Sequence, residues 1–309
     1  MDSVPIPAYN PAQQRVIDLL GRPTTAPVFD AGIGEQLRTD LEDALSPHVE
    51  RLGGERLFVS KHALAQMHGC EAHHLATKDT FEWSLATVRG TVAHKAIELS
   101  VHWRAEPFPA ELVDEAIARL INEDIGSGPF LGTLGTGDLA QLRGEVNDLV
   151  AGFLECFPPL RSSWTPVTES RVRVELCGGL IVLSGKVDLT LGRHQGNGKV
   201  IIDLKSGFGS PTHKEDLRFY ALVETIKLGV PPRLVATYEL DTARPHPEEV
   251  TAAVLQSALA RTIDGAIKLI ELHDGRPPTV RPGAPCRWCP LRTTCAEGIA
   301  HLAAADERR

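Results

Sequence analysis

The sequence predicts an α/β fold in which a mixed central sheet is flanked by helices, preceded by a helical N-terminal half and followed by a cysteine-rich C-terminal segment. Three observations predict it. Apolar residues recur at helical spacing through most of the first 160 positions. They alternate in period two, or run as short apolar blocks, from about 167 to 205. Beyond that point the pattern continues as helix, strand and helix.

The first 60 residues mix short helical stretches with turns marked by Pro23, Pro27, Gly32, Gly34 and Gly53-Gly54. SKHALAQMHGC then opens a short helix for which Ser60 is a fitting N-cap. Helices follow in RGTVAHKAIELSVHW (89–103), AELVDEAIARLINED (110–124) and DLAQLRGEVNDLVAGFLEC (138–156). The Gly-rich GSGPFLGTLGTGD before the last of them reads as a loop, with Thr136 or Asp138 as the cap. VTESRVRVEL, LIVLSGKVDLTLG and KVIIDLKSG read as three strands, the last two separated by the turn-forming RHQGNG. A helix at about 214–228 stops at Gly229 and Pro231-Pro232, a strand spans about 233–241, and a long helix spans about 247–273.

Composition bounds the function. The chain has 309 residues, is 42% hydrophobic and 23% charged, and lies in the ordinary globular range. No run approaches the roughly 20 apolar residues of a membrane span, so no membrane partner is expected. The start MDSVPIPAYN lacks the basic and apolar regions of a secretory signal, which makes a cytoplasmic location the expectation. A net charge of −8 argues against a protein that coats nucleic acid by bulk electrostatics, yet it leaves room for a local basic channel. Without an export signal, the six cysteines do not read as disulfides. Cys286, Cys289 and Cys295 lie within ten residues, a spacing that suits a metal or iron–sulfur site.

Two neighbouring strands carry Asp188 in GKVDL and Asp203-Leu204-Lys205 in IIDLKSG. Alternation along a strand puts Asp203 and Lys205 on one face and Leu204 on the other. If the two strands pair, both carboxylates can converge on one cation, and oxygen ligation suits Mg²⁺ or Mn²⁺. Such an ion would polarise a scissile phosphate, and Lys205 would orient the attacking water or stabilise developing charge. A solvated sheet face is the simpler reading of two acidic strands. Against it, IIDLK places Asp203 in a strongly apolar run, where a bare carboxylate is costly.

RGTVAHKAIE with His94, GKVDL with Asp188, DLK with Asp203 and Lys205, and DLRFYAL with Asp216 and Tyr220 occur in that order. Together they resemble the PD-(D/E)XK nuclease superfamily, and within it the RecB-like exonuclease branch, over about residues 60–300. The resemblance implies a restriction-endonuclease-like sheet. It further implies that His94, Asp188, Asp203 and the Leu204 carbonyl are metal ligands and that Lys205 is the catalytic lysine. Tyr220 would help to position the substrate strand, and Glu169 on the preceding strand is a candidate to assist a metal or its water. Bland readings exist for both helical residues: His94 as a hydrogen-bonded structural histidine, Tyr220 as core. One position departs from the family pattern: Asp216 stands where the branch has Gln. A carboxylate only accepts hydrogen bonds, so Asp216 would repel a phosphate, join the metal shell or pair with Arg218.

The three clustered cysteines need a fourth ligand, for which Cys70 in SKHALAQMHGC is the leading candidate. The set resembles the C-terminal clasp of AddB-type and CRISPR-adaptation exonucleases, in which one cysteine before the core and three after it hold a [4Fe–4S] cluster. Zinc in the same ligands stays open on spacing alone. Such a clasp would close a loop of more than 200 residues. Cys156 and Cys177 read as buried small hydrophobes.

The organisation expected is an N-terminal helical region (1–85), a helical part of the nuclease domain (86–165), a nuclease core (166–275) and the cysteine clasp (276–309). The function expected is metal-dependent hydrolysis of DNA, single-stranded or with free ends, in repair, recombination, CRISPR adaptation or defence. No phosphate loop is present, since GIGEQL at 32–37 lacks its lysine, so a helicase or another DNA-processing protein is the partner expected for any motor-driven step. The competing reading from another class is a catalytically silent DNA-end binding or scaffolding subunit. A zinc hydrolase is disfavoured by the lack of an open His-rich site such as H-E-x-x-H.

Overall fold

Local chemistry sets the order of elements in the computed structural model, which describes residues 9–21, 27–78, 82–104, 106–193, 198–207 and 212–307. The side chains of Asn10 and Gln13 form a capping box at the start of α1 (Pro11–Leu20). α2 (Ile33–Leu45) buries Leu37, Leu41 and Leu45 along one stripe. A short strand, β1 (Leu57–Val59), runs directly into α3 (Lys61–His68), where the Ser60 hydroxyl accepts from the Ala63 N–H as the sequence predicts. The helical half continues through α4 (Glu71–Thr77), α5 (Leu85–Ser100), α6 (Pro109–Glu123), α7 (Gly128–Thr133) and α8 (Thr136–Cys156). After it come β2 (Val167–Leu176), β3 (Ile181–Leu191), β4 (Val200–Lys205), α9 (Thr212–Leu228), β5 (Leu234–Glu239), β6 (Arg244–Glu249), α10 (Ala252–His273) and α11 (Ala296–Asp306). The predicted turn at 193–198 lies largely outside the described residues, as does Pro23.

Several expectations are corrected. The segment 247–249 is not helical: it ends the edge strand β6, and α10 starts only after Thr251, whose hydroxyl caps Val254. Pro245 and Pro247 lack a ladder donor, which an edge strand tolerates. The Gly-rich stretch between α6 and α8 contains a short helix, and Gly135 rather than Thr136 or Asp138 is the N-cap of α8. β1 lies where only helices and turns were expected.

The sheet is mixed and its helices cover two faces. α2, α3, α9 and α10 pack with Val172, Val174, Leu183, Ile201 and Val235 on one side, while α1, α5, α6 and α8 pack with Val200, Ile202, Leu204 and Ala236 on the other. Val187 joins the first core and Leu189 the second although both occupy odd positions, so β3 rolls over at Asp188 between them.

One feature of the pairing positions the site. β2 covers one edge of β3 along almost its whole length. The other edge is shared: β1 pairs in parallel with Ile181–Leu183, and β4 pairs antiparallel with Leu189–Leu191. The C-terminal ends of β1 and β4 therefore point towards each other across the unshared stretch 184–188 of β3. Lys61, Asp188, Asp203 and Lys205 meet at this splay. Among the described residues, no helix is long and apolar enough to cross a membrane.

Candidate active site

Asp203 is the buried pivot of the splay. Its side chain is 1% exposed, and a carboxylate so placed needs compensating charge. Two lysines supply it, one per oxygen: Lys61 Nζ donates to Oδ1 at 2.6 Å, and Lys205 Nζ stands 2.7 Å from Oδ2. The Lys205 contact is an ion pair without hydrogen-bond alignment, so Oδ2 is a buried oxygen with no hydrogen bond. Burial would raise the Asp203 pKa, but the two ammonium groups outweigh it and hold the carboxyl below its usual range. Burial likewise opposes the charge on Lys61, yet Asp203 and the nearby Tyr220 and Asp188 push its pKa up.

Asp188 sits on the adjoining strand, and its Oδ2 accepts the Leu204 backbone N–H at 2.8 Å. Its other oxygen lies 3.5 Å from His94 Nδ1, which α5 brings to the sheet. The imidazole pKa is lowered by burial but raised more by Asp188, with Asp203 and Glu169 adding to it, and the net shift is upward. Glu169 completes the group from β2. The flanking pairs Thr168↔Leu189 and Ser170↔Val187 put it opposite Asp188, and its backbone takes φ of +53°, a strained value for a non-glycine residue. One ligand atom each from His94, Glu169 and Asp188 lies within 4.8 Å of the others. Two carboxylates and an imidazole at this separation fit a hard divalent cation such as Mg²⁺ or Mn²⁺. Lys186 pairs with Glu169 at the rim.

Two glycines of the motifs have a steric role here. A Cβ on Gly90 would stand 2.6 Å from Ser206 Oγ, so glycine lets α5 approach the end of β4 and deliver His94. A Cβ on Gly185 would stand 2.5 Å from the Tyr220 ring. Tyr220 fills that space from α9, is 1% exposed, and donates its hydroxyl to the Lys186 carbonyl at 2.7 Å. Burial, relieved in part by Lys61, pushes its pKa up to about 12. Tyr220 thus supports the floor of the site as a core residue.

The helix that carries Tyr220 also carries Asp216, whose Oδ2 is 3.8 Å from Lys205 Nζ. Burial raises the Asp216 pKa against the pull of Lys61 and Lys205. The pairing with Arg218 is not observed, because that guanidinium is engaged by Glu248 and Glu215. Sequence reasoning missed Lys61 altogether. The signal was Ser60-Lys61 at a helix start directly after an apolar pair, which marks the end of a strand as well as a cap.

Cys70, Cys286, Cys289 and Cys295 line one small cavity with Ala72, Pro285 and Gly298. The Gly283 and Gly298 N–H groups point to Cys286 Sγ and Cys295 Sγ, each at 3.4 Å. Beside the cavity, Glu71 takes two hydrogen bonds from Arg276, at 2.9 and 3.0 Å, and a third from the Thr279 N–H at 2.8 Å. These bonds tie α4 to the segment after α10. Cys156 and Cys177 stand apart from this cavity; both are half-buried rather than buried, and burial raises both thiol pKa values.

The solved structures to which the chain is similar include two of note. One is that of a candidate exonuclease from Eubacterium rectale, with 14% identity, a TM-score of 0.44, and coverage of 87% of this chain and 94% of that one. The other is SSO0001, with 13% identity, a TM-score of 0.36, and coverage of 69% of this chain and 97% of that one. No curated protein matches. The family model of the PD-(D/E)XK nuclease superfamily matches residues 59–296, from the end of β1 to the start of α11. The chain belongs to the PD-(D/E)XK nuclease superfamily.

Proposed function

We propose that this nuclease is a metal-dependent DNA exonuclease of the RecB-like kind, acting in the cytoplasm on single strands or free ends. The observation that carries the reading is the junction of Asp188, Asp203, Lys205 and His94 at the β1/β4 splay, with Glu169 strained towards it. In this reading His94, Asp188 and Asp203, with the Leu204 carbonyl, hold Mg²⁺ or Mn²⁺, and Glu169 assists. The bound ion would supply Lewis-acid polarisation of the phosphate and of the attacking water. Lys205 is the catalytic lysine. Anchored on Asp203 and drawn by Asp216, its ammonium is aimed at the charge that develops on the phosphate. Tyr220 acts on the substrate strand only indirectly, by fixing the floor beneath it.

The silent-scaffold reading requires an eroded centre, whereas these side chains are intact and mutually paired. The test is digestion of end-labelled single- and double-stranded DNA with Mg²⁺ or Mn²⁺, with Lys205→Ala as control. Mononucleotide release by the parent, slowed about 10²–10³-fold in the variant, is expected. Equal cleavage by both would overturn the assignment.

A [4Fe–4S] cluster on Cys70, Cys286, Cys289 and Cys295 belongs to the same proposal. Support comes from the shared cavity and from N–H groups aimed at two of the sulfurs. Zinc in the same four thiolates is the alternative occupant. A partner helicase would supply any unwinding.

A further inference from the structure

We infer that Lys61 is a phosphate-binding residue of this centre, which takes the backbone of a single DNA strand beside Asp203. The inference rests on the nuclease reading and deepens it.

Two amines address one buried carboxylate, and they are not equivalent. Lys205 is shared between Asp203 at 2.7 Å and Asp216 at 3.8 Å. Lys61 has Asp203 as its carboxylate partner, at 2.6 Å.

The Lys61 side chain keeps a solvent-facing part, as that of Lys205 does. The Asp203 side chain is 1% exposed and that of Lys61 is 24% exposed, so Lys61 forms the solvent side of the pair. The Tyr220 ring lies beneath it, 4.9 Å from Nζ to the centroid. The ring is itself fixed by its bond to the Lys186 carbonyl, which leaves Lys61 little room to retreat inwards. The backbone completes the constraint, since β1, paired with β3 at Ile181–Leu183, runs into α3 and so delivers Lys61 to the splay. An incoming strand meets anionic groups at Glu169 and Asp188 on one flank and a fixed ammonium on the other. A phosphodiester held between a divalent cation and Lys61 matches that charge pattern.

The competing account is that Lys61 merely neutralises Asp203, and salt dependence separates the two. A fluorescent single-stranded oligonucleotide is titrated in Ca²⁺, in place of Mg²⁺, over a series of salt concentrations. For Lys61→Met the expected result is binding weakened about tenfold, with the log–log salt slope reduced by about 0.7, the value for one lost contact to a single strand. Lys61→Arg should restore both. An unchanged slope in Lys61→Met overturns the inference, even if the melting temperature falls. Should Lys61→Met not fold, lysine acetylation of the parent, read by mass spectrometry, decides: protection of Lys61 by the oligonucleotide supports the inference, and equal labelling overturns it. If the parent binds DNA with the slope effect but never cleaves with Mg²⁺ or Mn²⁺, the nuclease reading fails and the Lys61 contact stands. If the parent cleaves and the slope is unmoved, Lys61 alone is misassigned. A parent that binds no single strand overturns the contact.

Discussion

Asp188 Oδ2 accepts the Leu204 backbone N–H at 2.8 Å, a bond that fixes the β3 carboxylate to the strand that presents Asp203 and Lys205. The same side chain therefore has a structural oxygen and a site-facing oxygen, the latter 3.5 Å from His94. The two roles are separable. Asp188→Asn retains an acceptor for Leu204 and should melt within a few degrees of the parent, while Mn²⁺ affinity and cleavage fall by roughly a hundredfold or more. Asp188→Ala leaves the Leu204 N–H unpaired and should lose about 1–3 kcal/mol besides. Calorimetric metal titration and thermal melts of both variants check this.

Lys205→Ala leaves Asp203 with Lys61 as its ion-pair partner. The variant should fold, and its cleavage rate should drop by about 10²–10³. Asp203→Ala is a different lesion, because it strands two ammonium groups around an empty space. A loss of about 3–5 kcal/mol in urea unfolding is expected. Comparable stabilities for the two variants would show that the buried charge balance has been misjudged.

Gly185→Ala drives a methyl into the Tyr220 ring at a nominal 2.5 Å. The ring is buried and held by its bond to the Lys186 carbonyl, so a destabilisation of about 1–3 kcal/mol is expected by denaturant titration. Tyr220→Phe, which loses only the bond to the Lys186 carbonyl, should cost about 1 kcal/mol and leave most of the cleavage. Loss of cleavage without loss of stability in Tyr220→Phe would instead give the hydroxyl a direct role.

Burial favours the neutral form of Glu71, but its bonds from Arg276 and Thr279 prevail and depress its pKa from 4.5 to about 2. A depressed folded-state pKa contributes stability that is complete above the unfolded value and lost as pH falls. The loss should therefore run from about pH 4.5 down to about 2 and amount to on the order of 3 kcal/mol. Urea melts from pH 7 to 2.5 should show a shallower acid decline for Glu71→Gln, which starts from a lower stability at pH 7.

Protein purified without oxygen should be brown and carry four irons and four sulfides per chain, and Cys286→Ser should lose both colour and iron. Stoichiometric zinc in a colourless preparation would replace the cluster. Because Glu71, Arg276 and Thr279 bind α4 to the tail independently of the thiols, the core should keep its far-UV signal after the cluster is removed.

Much of the site was legible because strand alternation is local. Ile201 and Leu204 fall in opposite cores, and that parity is what turns Asp203 and Lys205 to one face. The two glycines were legible only as motif letters, since their reasons are contacts with Ser206 and Tyr220 distant in sequence. Lys61 was illegible because its role depends on β1 pairing with β3 rather than on anything within SKHALAQ. The β6 error is of the other kind. PEEV followed by apolar residues is a fair helix start, and a helix does start nearby. The sheet's need for an outer strand against β5 took the residues up to Glu249, and Thr251 supplied a second, better cap.

The head-on meeting of β1 and β4 also sets when the enzyme comes into being. Lys61 and Asp203 are separated by 142 residues, and β1 can pair only after β3 exists. At ribosomal rates of about 5–20 residues per second, Lys61 waits on the order of ten seconds for its partner. Such long-range closure is slow to nucleate. Nascent chains that end before β4 carry His94, Glu169 and Asp188 but lack Asp203 and Lys205, so truncated translation products hold only half of the centre, without a dedicated inhibitor.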